Sequence, residues 1–191
     1  MRIGLLFIMC LLFTISCTTL PDTTTEEQPT ARSVEPYSGN NSGDLVFPEG
    51  TSIRDTQRGK VLNTDPKILF KFASTQMPSN SEGTFAKVIE FMNNNPNVNI
   101  VVEAHTSNRG EAYPANYELS VARVRLAKTY LIENGISADR IIEQPLGESL
   151  PEYSSQNDLR RYEFVIIESD DDLKNYNNFV STLDITKESS Y

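Results

Sequence analysis

Residues 99–125 read NIVVEAHTSNRGEAYPANYELSVARVR. The apolar run Ile100-Val101-Val102 is rich in β-branched residues and bounded by polar ones, which predicts a strand from Val98 to Ala104. A polar loop follows, holding the only histidine of the chain, His105. From Asn116 to Asn134 the spacing turns helical, and Leu119, Ala122, Leu126 and Tyr130 are expected on the buried side. Gly135 stands where helices end in the left-handed conformation. In a strand–loop–helix of this kind, loop amides and a helix start converge on one small polar ligand.

The flanking sequence extends the pattern. Residues 79–94 predict a helix, with Ser79 or Ser81 as cap and Phe85, Val88, Ile89 and Met92 at core spacing. Asn93-Asn94-Asn95-Pro96 stops it. Upstream, Lys60 to Asn63 reads as a short edge strand and Ile68 to Phe72 as a better one. Downstream come a strand from Arg140 to Glu143, a loop through Gly147 and Pro151 to Asp158, and a last strand from Tyr162 to Glu168. Strands alternating with two helices predict an α/β (α+β) sandwich over residues 45–168, one mixed sheet with helices packed on one face. Residues 169–191 are acidic and rich in Asn and Ser; Leu173, Tyr176, Phe179, Val180 and Leu183 allow a weak amphipathic turn or two, but a solvated tail is expected.

The start, MRIGLLFIMCLLFTISC, has one positive charge and an apolar run of signal-peptide length, too short to span a bilayer. Thr14-Ile15-Ser16-Cys17 resembles a bacterial lipoprotein lipobox, with Thr14 where an aliphatic residue is usual. That implies a signal peptide over 1–16 and a lipid on Cys17 anchoring the chain to a membrane; an ordinary signal peptide with an incidental cysteine is the alternative. Residues 18–44, rich in Thr, Pro, Ser and Glu and without periodicity, read as a flexible tether. Cysteine occurs only at Cys10 and Cys17, which leaves the folded part without disulfide, thiol or zinc-thiolate chemistry. A net charge of −9 argues against a nucleic-acid partner, because phosphate binding needs a basic face.

Taken together, ILFKF, a helix, NVNIVVEAHTSNRG, NYELSVARVRLAKTYLIENGI, GESLP and RRYEFVI resemble the OmpA-like peptidoglycan-binding domain family, with strand–helix order βαβαββ, over residues 60–167. The resemblance implies non-covalent binding of a peptidoglycan stem peptide at its diamino acid by an outer-membrane lipoprotein whose domain lies in the periplasm. The family's Gly-His-Thr-Asp loop stands here as Ala104-His105-Thr106-Ser107, continuing to Asn108 and Gly110. Its helix motif, Asn-x-x-Leu-Ser-x-x-Arg, is intact in Asn116, Leu119, Ser120 and Arg123. By that resemblance Arg123 grips the ligand carboxylate, and Arg160 and Arg161 flank the site or pair with surface acids. Leu159 departs from the asparagine often found before them.

Ser107 replaces the aspartate that takes the ligand ammonium in the family. A hydrogen bond to a charged group contributes about 1.5–3 kcal/mol, so losing an ion-paired one lowers affinity about tenfold to a hundredfold. Three readings stay open: weaker binding of the usual stem, a stem with another diamino acid such as ornithine or lysine, or a fold kept without binding. Asn108, Glu111 and Glu118 are possible substitutes for the missing group. His105 beside Glu103 lacks a second His or Cys ligand and a nucleophile partner, so it is expected to orient the loop rather than bind metal or catalyse. No enzyme activity and no cofactor are expected. The competing function is an envelope lipoprotein whose domain docks a protein partner instead of the wall.

Overall fold

The computed structural model describes residues 44–109 and 115–185. Its elements in order are β1 (Thr51–Thr56), β2 (Gly59–Thr64), α1 (Ser81–Asn94), β3 (Asn99–His105), α2 (Tyr117–Glu133), β4 (Ile141–Gly147), β5 (Tyr162–Ile167) and α3 (Asp170–Ser181). They form one mixed five-stranded sheet in the order β1-β2-β5-β3-β4. Only β3 and β4 run parallel, joined by the α2 crossover. None of the described helices is long and apolar enough to cross a membrane.

Alternation along β3 divides the molecule. Ile100, Val102 and Ala104 face α1 and α2, where Phe85, Val88, Phe91, Val124 and Leu131 complete the main core. The opposite side of the same strand, through Val101, faces α3 together with Val61, Val165 and Ile167. The two expected helices therefore share a face, and a third covers the other.

That third helix corrects the expected solvated tail. Tyr176 is fully buried and Leu173 and Val180 pack beside it. The local signal is a cap: Ser169 Oγ accepts from the Asp172 N–H at 3.2 Å, and Asp170, Asp171 and Asp172 place negative charge in the first turn, where the helix dipole favours it. Acidity that suggested solvent is a helix start.

Three further expectations change. Residues 60–63 are not an edge, because β1 pairs with β2 along its length. β1 itself, TSIRDT, has Ile53 as its only apolar residue and shows no alternation. Ile68 to Phe72 makes a single bridge, Leu69 to Arg161, rather than a strand. Ile68 and Phe70 are buried, but beyond them the carbonyls of Phe70, Lys71 and Ser74 are taken by Arg160 and Arg123 side chains instead of a neighbouring strand. β4 runs on to Gly147 through Pro145, which an edge strand tolerates.

On α2 the buried residues are Ser120, Arg123, Val124, Ala127 and Leu131; of the expected Leu119, Ala122, Leu126 and Tyr130, only Tyr130 packs against the main core. Two polar residues on the inward face displaced the apolar pattern by about one position. The helix ends as expected: Gly135, at φ +91°, lets the Ile136 N–H reach Leu131 O at 3.0 Å.

Candidate functional site

The C-terminal end of β3 opens into a cleft of about 310 Å³. One wall is the loop after β3, with Thr106, Ser107 and Arg109; the other is the start of α2, with Asn116 and Leu119. Phe72, Ala73 and Arg160 close the remaining side. The loop is held by its backbone: His105 N–H donates to Arg161 O at 3.0 Å and Thr106 N–H to Gly147 O at 2.7 Å.

Gly147, expected in a loop, ends β4 and is part of this construction. At φ +53° its α-carbon lies under the α2 start, where a Cβ would sit 3.5 Å from Tyr117 N. Its own N–H donates to Ser120 Oγ at 3.1 Å, which explains a serine on the buried face of α2.

Arg123 does not line the cleft. Expected to grip a ligand carboxylate, its side chain is fully buried over the Phe70 ring. It donates to His105 O at 2.9 Å through Nη1 and to Ser74 O at 3.0 and 2.9 Å through Nε and Nη2. Arg123 thus ties the end of β3 to residues 71–74 behind the cleft wall. Burial pulls its pKa down to about 10, with Arg160 adding like charge and only Tyr162 opposing. It stays a cation at neutral pH with carbonyl partners and no carboxylate among the described residues.

The two arginines of the Arg160-Arg161 pair part company. Arg160 reaches the cleft, its Nε on Phe70 O at 2.9 Å and its Nη1 on Gln156 O at 2.6 Å. Arg161, one residue on, lies on the other face of the sheet and is fully buried, away from the cleft lining. There it pairs with Glu163 at 3.1 Å and stacks over the Tyr153 ring at 4.5 Å.

His105 also points away from the cleft. Its Nε2 is 3.3 Å from Glu103 Oε2, inside a buried network where Arg58 pairs with Glu103 at 3.0 Å and with Glu163. Burial lowers the histidine pKa and Arg161 lowers it further, outweighing Glu103, so the ring is neutral at pH 7. Glu103, His105 and Glu163 bring ligand atoms within 4.8 Å of one another, but the Arg58 guanidinium bonds both carboxylates and neutralises the charge a cation would need.

Asn116 does line the cleft, yet its amide is committed: Nδ2 donates to Glu148 Oε2 at 2.7 Å and to Arg109 O at 3.3 Å, joining the loop to the β4–β5 connection. Asn108 is exposed and its Oδ1 accepts from Gln156 Nε2 at 2.8 Å. Thr106 Oγ1 is buried without a hydrogen-bond partner among the described residues. Ser107 is nearly buried in the wall, and Leu119 supplies apolar surface beside it. Gly110, Glu111 and Cys17 lie outside the described residues.

The sequence model of the OmpA family matches residues 69–163, which hold the cleft with α1, β3, α2 and β4 and reach the start of β5. This domain belongs to the OmpA family. Among curated relatives, the peptidoglycan-associated lipoprotein of Brucella melitensis is 25% identical over 114 residues, covering 59% of this chain and 66% of the relative. That of Rhizobium meliloti is 23% identical over 112 residues, covering 59% and 63%. The chain thus spans just under two thirds of the length of these relatives. Among solved structures, the periplasmic domain of Helicobacter pylori MotB has a TM-score of 0.54 at 17% identity, covering 72% of this chain and 96% of that one. A putative MotB-like protein from Desulfovibrio vulgaris has a TM-score of 0.51 at 20% identity, covering 61% and 80%. These two establish the OmpA-like fold of the chain.

Proposed function

We propose that this OmpA-like domain binds a peptidoglycan stem peptide non-covalently in the cleft at the end of β3. In this reading it is a non-enzymatic envelope protein, held to the outer membrane by a lipid on Cys17 through the tether of residues 18–44. The observation that carries the reading is the charge balance of the cleft. Arg109 and Arg160 line it, Arg123 lies buried behind it, and no carboxylate lines it among the described residues. A stem peptide offers carboxylates, and each finds a cationic wall plus the unpartnered Thr106 hydroxyl. Family membership and the names of the relatives agree with it.

The same balance bears on Ser107. With serine in the wall, the ammonium of a diamino acid finds a hydroxyl and no opposite charge. The stem is then held by its carboxylate end, and the side chain of the diamino acid is weakly read. Capture of the folded domain on purified sacculi tests the reading. Wild type should sediment with the wall, Leu119→Trp should fill the cleft and release it, and Ser107→Asp should tighten a diamino-acid stem about tenfold. Failure of wild type to sediment would end the proposal.

A second reading has its own observation. Arg123, assigned to the ligand by family resemblance, and Arg161, expected at its flank, are both fully buried and hydrogen-bonded or ion-paired within the fold. A domain keeping the fold while docking an envelope protein fits that pattern, with Phe72 exposed at the cleft rim. Sedimentation unaffected by Leu119→Trp, or absent altogether, would favour it.

A further inference from the structure

A larger groove, of about 560 Å³, lies on the α3 side of the sheet, between the β1–β2 turn and α3. Its volume falls within the roughly 300–1,000 Å³ that small-molecule sites occupy. Asn175, Asn178, Phe179 and Thr182 line it from α3, at positions i, i+3, i+4 and i+7, so they form one stripe. Thr56 and Gln57 face them from the turn. This stripe is distinct from the Leu173, Tyr176 and Val180 contacts that fasten the helix to the sheet.

What is free in the groove is uncharged. Its two charged side chains are already committed. Asp172 Oδ2 accepts from Glu168 N–H at 3.1 Å and Ser169 Oγ at 2.8 Å, capping α3. Arg58 is turned inward onto Glu103, Glu152 and Glu163 and is 1% exposed. By contrast, the amides of Gln57, Asn175 and Asn178 make no side-chain hydrogen bond among the described residues, and each offers two donors and an acceptor. The hydroxyls of Thr56 and Thr182 donate to Gly59 O and Phe179 O, which leaves their lone pairs to accept from a ligand. Phe179, half-buried, supplies an apolar face within the same groove.

The geometry points to a second binding site in this groove, for an uncharged saccharide bearing acetamido groups. Planar amides match hydroxyl pairs and acetamides by reciprocal donation and acceptance, and an aromatic ring takes the C–H face of a pyranose. An anionic ligand would find no free cation, because Arg58 is spent on its own carboxylates and Asp172 adds negative charge. The site is separate from the stem-peptide cleft and does not depend on that reading: the cleft opens at the C-terminal end of β3, whereas the groove is built from α3 and the β1–β2 turn.

The test is a heteronuclear NMR titration of the folded chain with the trimer of N-acetylglucosamine as probe. Side-chain amides of Gln57, Asn175 and Asn178 should shift in a saturable way, while Thr106 and Ser107 stay still. The double variant Asn175→Ala/Asn178→Ala, altered at exposed positions, should bind about tenfold more weakly. A stem tripeptide in a parallel titration should move Thr106 and Ser107 only, so that failure of the peptide arm speaks to the cleft alone. Absence of saturable shifts with the sugar, or equal affinity in the double variant, would overturn the saccharide site.

Discussion

Arg123 shows how one residue serves an architecture its sequence motif does not reveal. Its guanidinium holds the carbonyls of His105 and Ser74, and nothing else among the described residues replaces those donors. Arg123→Ala should leave these acceptors unpaired and open a cavity, costing about 3 kcal/mol or more by urea denaturation. A change under 0.5 kcal/mol would mean the carbonyls find water at no cost. Glu163 gives a pH signature. Burial pushes its carboxyl up, but the Arg161 and Arg58 guanidiniums outweigh burial and hold it at about 2, against an ordinary 4.5. Between those values the unfolded chain binds the proton and the folded chain does not. The stabilisation is therefore complete above about pH 4.5 and is lost as pH falls toward 2. Urea midpoints for wild type should decline across that window more steeply than those of Glu163→Gln, and parallel curves would refute the assignment.

Among the elements, α3 carries the largest departure from expectation and the clearest consequence. Tyr176 donates its hydroxyl to Glu103 Oε1 at 2.9 Å, linking the helix to the charged network behind His105. Burial and the neighbouring Glu103 both raise the phenol pKa, so it is a donor at any working pH. Tyr176→Phe keeps the packing and loses this bond to a charged acceptor, and should cost about 1.5–3 kcal/mol. A chain ending at Glu168 should do worse. It uncovers Val61, Val101, Val165 and Ile167 on one sheet face, and light scattering should report association where the full chain stays dispersed. A monodisperse truncated chain would show that α3 is dispensable.

At the scale of the molecule, a net charge of −9 surrounds a cleft whose described charged residues are arginines. Attraction of an anionic stem is then local and screened by salt. Capture on sacculi should weaken as ionic strength rises from about 0.05 to about 0.5 M, over which the Debye length shrinks several-fold. Salt-independent capture would point to an apolar contact instead. Much of this molecule was legible in the chain. β-branched runs at Ile100 and Phe164, helical spacing at Phe85, and Gly135 as a stop each follow from local periodicity and backbone preference, so β3, β5, α1 and the end of α2 fell where expected. Local rules failed where a polar residue owes its place to a distant partner. Arg123 looks exposed in sequence because its acceptors lie 18 and 49 residues away. Ser120 is buried because Gly147 needs an acceptor, and β1 exists because β2 offers it a full ladder. The sequence by itself determined the strand–loop–helix unit and the motif that marks the family. Only the tertiary structure decided which arginine lines the cleft and which locks the fold, because desolvation and hydrogen-bond closure act between segments far apart along the chain.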